Sequence, residues 1–115
     1  MVDIESLVIG WGNTTALLED PFHANVPENR PERFFTVERT GGPLERFRDL
    51  PQVAVQAWAP TRSAALRMIN EFTAAAWADL QYQPRVSRID INTIAHFPGA
   101  DGEPRYQALL EIVTA

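Results

Sequence analysis

The chain has 115 residues, 45% of them hydrophobic, which is enough for a single domain spanning 1–115 whose core needs no covalent staples. It contains no cysteine, so disulfides, thiolate metal sites and a cysteine nucleophile are excluded. Net charge is −5 and all 10 basic residues are arginine; between positions 28 and 49 they interleave with Glu28, Glu32, Glu38, Glu45 and Asp49, a solvated pattern rather than a phosphate-binding stripe.

Asp3 is placed to N-cap a first helix. Ile4, Leu7, Val8 and Trp11 follow at helical spacing and Leu18 extends that face. Gly10, Gly12 and Asn13 weaken this helix, and Asp20-Pro21 is expected to end it. The prolines at 21, 27 and 31 mark an extended connector, with a short edge strand expected at His23–Val26. Arg33–Thr40 reads as a strand, since Phe34, Phe35, Thr36 and Val37 favour one. Gly41-Gly42-Pro43 turns the chain, and Leu44–Arg48 is expected to form a short returning ribbon. Gln52–Ala59 is the next strand, with Val53, Val55 and Ala57 on one face.

Thr61 is the expected N-cap of the main helix. Ala65, Met68, Ile69, Phe72, Ala76 and Leu80 recur at i, i+3, i+4 and i+7, while Arg62, Arg67, Glu71 and Asp79 fall mostly off that stripe. Arg85–His96 reads as a strand with Ile89 and Ile91 on one face. Phe97–Glu103 is a hairpin loop, and Arg105–Thr114 is the last strand. The order α-β-β-α-β-β predicts an α+β fold: a mostly antiparallel sheet of four to five strands packed with two helices.

Phe34 and Phe35 are adjacent in a strand, so their rings point to opposite faces. Leu109-Leu110 and Ile112-Val113 repeat this in the last strand. A sheet with one wet face alternates apolar with polar residues, so both faces of this sheet need cover. The first helix could cover the second face, or a neighbouring subunit could.

No catalytic, phosphate-loop or dinucleotide motif is present. His23 and His96, even with Asp101 and Glu103 nearby, lack the close-spaced pairs of a metal site. Ser63, His96 and Asp101 would make a triad only by coincidence of folding. The expectation is therefore no enzyme, no cofactor and no metal. Trp11, Trp58 and Trp77 are better read as packing or interface residues than as stacking platforms. Arg105 is expected to pair with Asp101 or Glu103. No apolar run approaches the ~20 residues that cross a bilayer, and the acidic start Met1–Glu5 lacks the basic region of a signal peptide. The chain reads as made and used in the cytoplasm, with no membrane contact.

The stretch Pro31–Ala65 carries a resemblance. Its features are Arg33-Phe34-Phe35-Thr36-Val37, Arg39-Thr40-Gly41-Gly42, Val53-Ala54-Val55-Gln56-Ala57-Trp58-Ala59, then Thr61 and Ala64-Ala65. The Val26-Pro27 connector and the Arg105-Tyr106 strand opening also fit. In this order and spacing the chain resembles the tail terminator, or tail completion, proteins of long-tailed bacteriophages, particularly those of actinobacterial hosts. The resemblance implies a mixed α/β fold that assembles as a homo-hexameric ring in the virion neck. Such a ring caps the major tail tube protein, stops tube growth, docks to the head–tail connector or stopper, and passes DNA through its lumen. It implies host-cytoplasmic assembly and a final place in the virion.

A ring needs one patch to meet a different patch on its neighbour. Candidate interface residues are Phe34, Phe35, Arg39, Gly41, Gly42, Arg46, Phe97, Asp101 and Arg105, with the Gly41-Gly42 turn and the Phe97–Glu103 loop as projections. An acidic chain suits a lumen that lets DNA slide. Rival readings are a head-completion or stopper protein of the same neck, and a small host α+β ligand-binding domain with an apolar pocket. A nucleic-acid binder is disfavoured by the charge balance.

Overall fold

The computed structural model describes residues 3–42, 50–98 and 102–114. Helix α1 spans Ile4–Thr14, and Asp3 caps it by accepting from the Ser6 amide. The Ser6 amide and hydroxyl hold the Asp3 carboxyl below its ordinary value of 3.8. A lowered folded pKa stabilises the helix end above pH 3.8, and that stabilisation is lost as pH falls through the lowered value. The helix stops at Thr14, well before Asp20-Pro21. The Thr15 amide caps it on the Trp11 carbonyl. Asn13 then clasps the backbone of Phe22: its amide nitrogen donates to the Phe22 carbonyl and its amide oxygen accepts from the Phe22 N–H. That clasp needs the chain to double back between 15 and 21. Leu18 lies outside the helix but remains buried.

Strand β1 is only Phe22–His23 and pairs parallel with β2, Phe34–Gly41. The short edge strand expected at His23–Val26 thus begins one residue earlier and ends at His23. Strand β3, Gln52–Trp58, runs antiparallel to β2. Helix α2, Arg62–Ala78, is capped by Thr61 accepting from the Ala64 amide. A 3-10 turn at Leu80–Tyr82 leads to β4, Val86–His96, and β5 is Arg105–Thr114. The sheet order is β1-β2-β3-β5-β4. The protein is α+β, with two helices and a five-stranded, mostly antiparallel sheet. The ribbon expected at Leu44–Arg48 lies outside the described residues.

Both helices pack on one face of the sheet. Ile4, Val8 and Trp11 of α1 share a single core with Met68, Ile69, Phe72 and Ala76 of α2 and with Phe35, Val37, Val53, Val55, Ala108, Leu110 and Ile112 of the strands. The first helix therefore does not cover the second face, one of the two options the sequence left open. Two bulges in β4, at Val86/Arg88 and Ile91/Thr93, reset the alternation so that Val86, Ile89 and Ile91 all reach the core cluster.

At the centre of this core the Phe22 ring stacks on Phe35 at 4.5 Å and meets Phe72 and Trp11 at 6.1 and 6.4 Å. Gly12 makes room for it: a Cβ there would lie 2.3 Å from the Phe22 ring. The glycine that weakens α1 as a helix former is what lets the helix approach the sheet. Gly10, two residues away, has open space around it. The two glycines should separate in a denaturation experiment. Gly12→Ala is expected to lose about 1–3 kcal/mol through overpacking, whereas Gly10→Ala gains up to ~1 kcal/mol from helix propensity. Equal effects at both positions would show that the close approach at Gly12 does not matter.

Candidate assembly interface

The sheet face opposite the helices is partly closed by the chain itself. Phe34 stacks on Trp58 at 5.5 Å, and both are buried. The Arg30 guanidinium, from the connector, sits 5.6 Å over the Phe34 ring and 5.4 Å over Trp58. Arg105 lies 4.4 Å over Trp58 and 4.8 Å over Phe97. Among the described residues two cations thus contact Trp58. Arg30 also makes a bidentate pair with Glu103, at 2.7 and 2.6 Å, across 73 residues of sequence. This pair ties the connector to the β4–β5 hairpin loop across the aromatic stack.

Below the stack runs a polar relay. The Trp58 Nε1–H donates to Thr36 Oγ1, and Thr36 Oγ1 donates to Gln56 Oε1. Gln56 Nε2 donates to Gln107 Oε1, and Arg105 donates to Gln56 Oε1 and to the Phe97 carbonyl. Each buried polar group of this relay finds a partner, which is what makes its burial tolerable. Burial lowers the Arg105 pKa from its ordinary value while the charge of Glu103 works against that; the guanidinium stays cationic.

Arg105 and Glu103 therefore belong to one cluster, but the carboxylate oxygens of Glu103 bond Arg30 rather than Arg105. Nothing in the local sequence marks Arg30 as the partner, because the contact exists only once the connector and the hairpin have been folded together. Phe35 is in the core and Phe34 is under Arg30, so in the single chain neither offers surface to a partner. Arg39 organises its own turn: its guanidinium donates to the Gly41 and Gly42 carbonyls, and its backbone N–H donates to the Glu5 carboxylate. Gly42 has φ +99, and a Cβ there would meet the Leu50 carbonyl oxygen at 2.1 Å. That position is built to turn the chain. Arg46 and Asp101 lie outside the described residues.

Phe97 remains 48% exposed and is the surface member of the cluster. Other large apolar side chains are exposed too: Ile94 on β4, Leu66 and Trp77 on α2, and Tyr82 in the 3-10 turn. Leu17 and Val26, between α1 and β2, are exposed as well; Ile94, Phe97, Trp77 and Tyr82 fall at two separate corners. Ile94 and Phe97 are at the hairpin end of β4. Trp77 and Tyr82 are at the opposite end, where α2 gives way to the start of β4. At about 3.4 Å per residue, the 11 residues of β4 set these corners roughly 35 Å apart. The sequence marks Phe97 as an interface candidate and Trp77 as a packing or interface residue, but not Ile94 or Tyr82, and only the antiparallel course of the chain sets the two corners apart.

His23 and His96 stand on β1 and β4, at opposite edges of the sheet, roughly 19 Å apart at about 4.8 Å per strand step. They cannot share a metal ion at that distance. Among the described residues no group of three or more acidic or histidine side chains could hold one. A groove of about 440 Å³ runs along α2, lined by Ser63, Leu66, Arg67, Asn70, Glu71 and Ala74. All six are exposed, so it is a surface furrow rather than an enclosed ligand pocket. Among the described residues no helix is long and apolar enough to cross a membrane.

No protein-family profile matches the sequence, and no curated protein matches it significantly.

The Arg30–Glu103 pair is half-exposed, with side-chain exposures of 41% and 28%. A double-mutant cycle with Arg30→Ala and Glu103→Ala should return a coupling of about 0.5–1 kcal/mol that shrinks as salt is raised. Trp58→Ala, by contrast, should cost about 3–5 kcal/mol. A coupling indistinguishable from zero at low salt would remove the tie from the description of this face.

Proposed function

We propose that this chain is a structural protein of a phage neck, a tail terminator that forms a hexameric ring on the end of the tail tube. The resemblance of Pro31–Ala65 to that family supplies the idea. The observation that carries it is that two pairs of exposed apolar side chains, Ile94 with Phe97 and Trp77 with Tyr82, lie at unlike corners at opposite ends of β4. A head-to-tail contact, in which the Ile94–Phe97 corner of one copy meets the Trp77–Tyr82 corner of the next, is heterologous and can close into a ring. A body with a single apolar patch would favour a two-fold dimer instead.

The acidic balance supports the reading from another side. A net charge of −5 disfavours tight phosphate contacts, as suits a lumen through which DNA slides. On this reading the ring's partners are the tail tube protein on one side and the head connector or stopper on the other. A stopper of the same neck would bind the head connector and ignore tube ends. Electron microscopy of the chain mixed with tubes from headless mutants separates the two: a terminator is seen on tube ends.

The head-to-tail contact has a distinctive genetic signature. Trp77→Glu and Phe97→Glu should each reduce ring formation about 30-fold or more in light scattering, the loss of about 2 kcal/mol expected of a central aromatic anchor. Each leaves the other corner intact. Mixed one to one, the two variants should therefore pair as dimers through their remaining good corners and go no further. A wild-type chain that stays monomeric even with tube ends present would defeat the proposal.

A further inference from the structure

Helix α2 carries a second organised surface on the side turned away from the sheet. Ala65, Met68, Ile69, Phe72 and Ala76 belong to the core. On the other side Ser63, Leu66, Asn70, Ala74 and Trp77 are all exposed. At 3.6 residues per turn the other four of this seam lie within about 40° of Asn70 around the helix axis. The outward face of a surface helix is ordinarily charged, yet the seam itself carries no charge. Arg67 and Glu71, both exposed, stand beside it on one and the same flank. Arg67 precedes Glu71 by one helical turn, the less favourable order for a pair within one helix. Among the described residues neither is in an ion pair.

This seam is complementary to itself read backwards. Leu66 and Ala74 stand at equal distances before and after Asn70, and so do Ser63 and Trp77. At each distance a large side chain is matched by a small one. In an antiparallel pair of α2 helices with a two-fold axis at Asn70, Trp77 therefore lies over Ser63 of the second copy, and Leu66 beside its Ala74. The rotation keeps the charged flank on one side. Arg67 then stands about 3 Å along the axis from Glu71 of the second copy, within reach of two long side chains, and symmetry makes that ion pair twice. Asn70 meets its own copy on the axis, where an amide offers both a donor and an acceptor. A central asparagine fixes register in helix pairs of this kind.

We infer that the outward face of α2 is a self-association surface whose occupant is the α2 helix of a second copy, antiparallel and centred on Asn70. The inference goes beyond the proposed ring and does not rest on it. Trp77 belongs to both contacts, so a chain held in this dimer is withheld from the ring. The contact is small against the roughly 20–30 residues a side of a stable complex. The dimer is therefore weak and exchanging, with a dissociation constant of roughly 100 µM.

Because the chain contains no cysteine, single cysteines can trap the pair. Under mild oxidation Asn70→Cys should yield a disulfide-linked dimer, since the two sulfurs face each other across the axis. Ser63→Cys should not, because its two copies stand about 21 Å apart in the antiparallel pair. Charge reversal supplies a second readout. Arg67→Glu and Glu71→Arg should each weaken the dimer about tenfold in sedimentation equilibrium. A one-to-one mixture of the two should recover it as a heterodimer, in which both ion pairs are restored. All four substitutions fall at exposed helix positions and should leave the circular dichroism unchanged. Cross-linking through Ser63→Cys but not Asn70→Cys, charge variants that self-associate like wild type, or a mixture that fails to recover overturns the antiparallel pair. A wild-type chain that is monomeric at about 1 mM, ten times the expected constant, overturns the dimer, and rings formed by that chain on tube ends would leave the ring standing. A chain that dimerises as described but never forms rings upholds the dimer and defeats the ring.

Discussion

The approach of α1 to the sheet is the constraint on which the rest of the fold depends. It is set by one contact, the face of Phe22 against a helix residue without a side chain at Gly12. Once Phe22 is seated, Asn13 holds its backbone from both sides and β1 is pinned beside β2. The ring also joins Phe35 and Phe72, so a single side chain touches α1, β2 and α2. Trp11 completes the join by donating its Nε1–H to Asp79 at the end of α2. A close-packed interior transmits small displacements rather than absorbing them. A shift of α1 would therefore be felt at both the β2 edge and the end of the long helix.

The outer face shows a different solution to surplus apolar surface. The doublet Phe34-Phe35 puts one ring on each side of the sheet, and the structure covers the outer ring with the chain's own arginine rather than with a helix. Arginine is suited to this, because its planar guanidinium lies flat on an aromatic face and still forks onto a carboxylate. The Phe34–Trp58 end of that face is thereby covered within one copy. Among the described residues, large apolar side chains that stay exposed lie elsewhere, Ile94 and Phe97 at one end of β4 and Trp77 and Tyr82 at the other.

Much of the fold was legible in the sequence for physical reasons. The stripe from Ala65 to Leu80 is long enough to fix α2, and Thr61 caps it as its position demands. Asp101-Gly102 and the surrounding prolines announce the last hairpin. The misplaced boundaries are instructive. The end of α1 is decided by a clasp between Asn13 and Phe22, a tertiary contact that overrides the propensity of residues 15 to 20. The extent of β1 is decided by the short reach of its parallel pairing. The site was less legible than the fold. Phe34 and Phe35 look like interface residues in a one-dimensional pattern, but their cover, Arg30 and Phe22, comes from segments whose distance in sequence hides the contact. Trp77 reads as a packing or interface residue, but the corner it shares with Tyr82 emerges only once the chain's course sets them opposite Phe97.

The strand order also governs how the molecule can be made. β2–β3 and β4–β5 are neighbours in sequence and close cheaply, but the pairing of β3 with β5 spans the whole of α2 and β4. Chain closure over that distance must be met before its contacts give anything back. Refolding is therefore expected to be limited by the docking of two preformed hairpins along the β3–β5 seam, with α2 acting as the hinge between them. The Arg30–Glu103 tie, which joins a segment ahead of the first hairpin to the loop of the second, would then form only after the seam has closed.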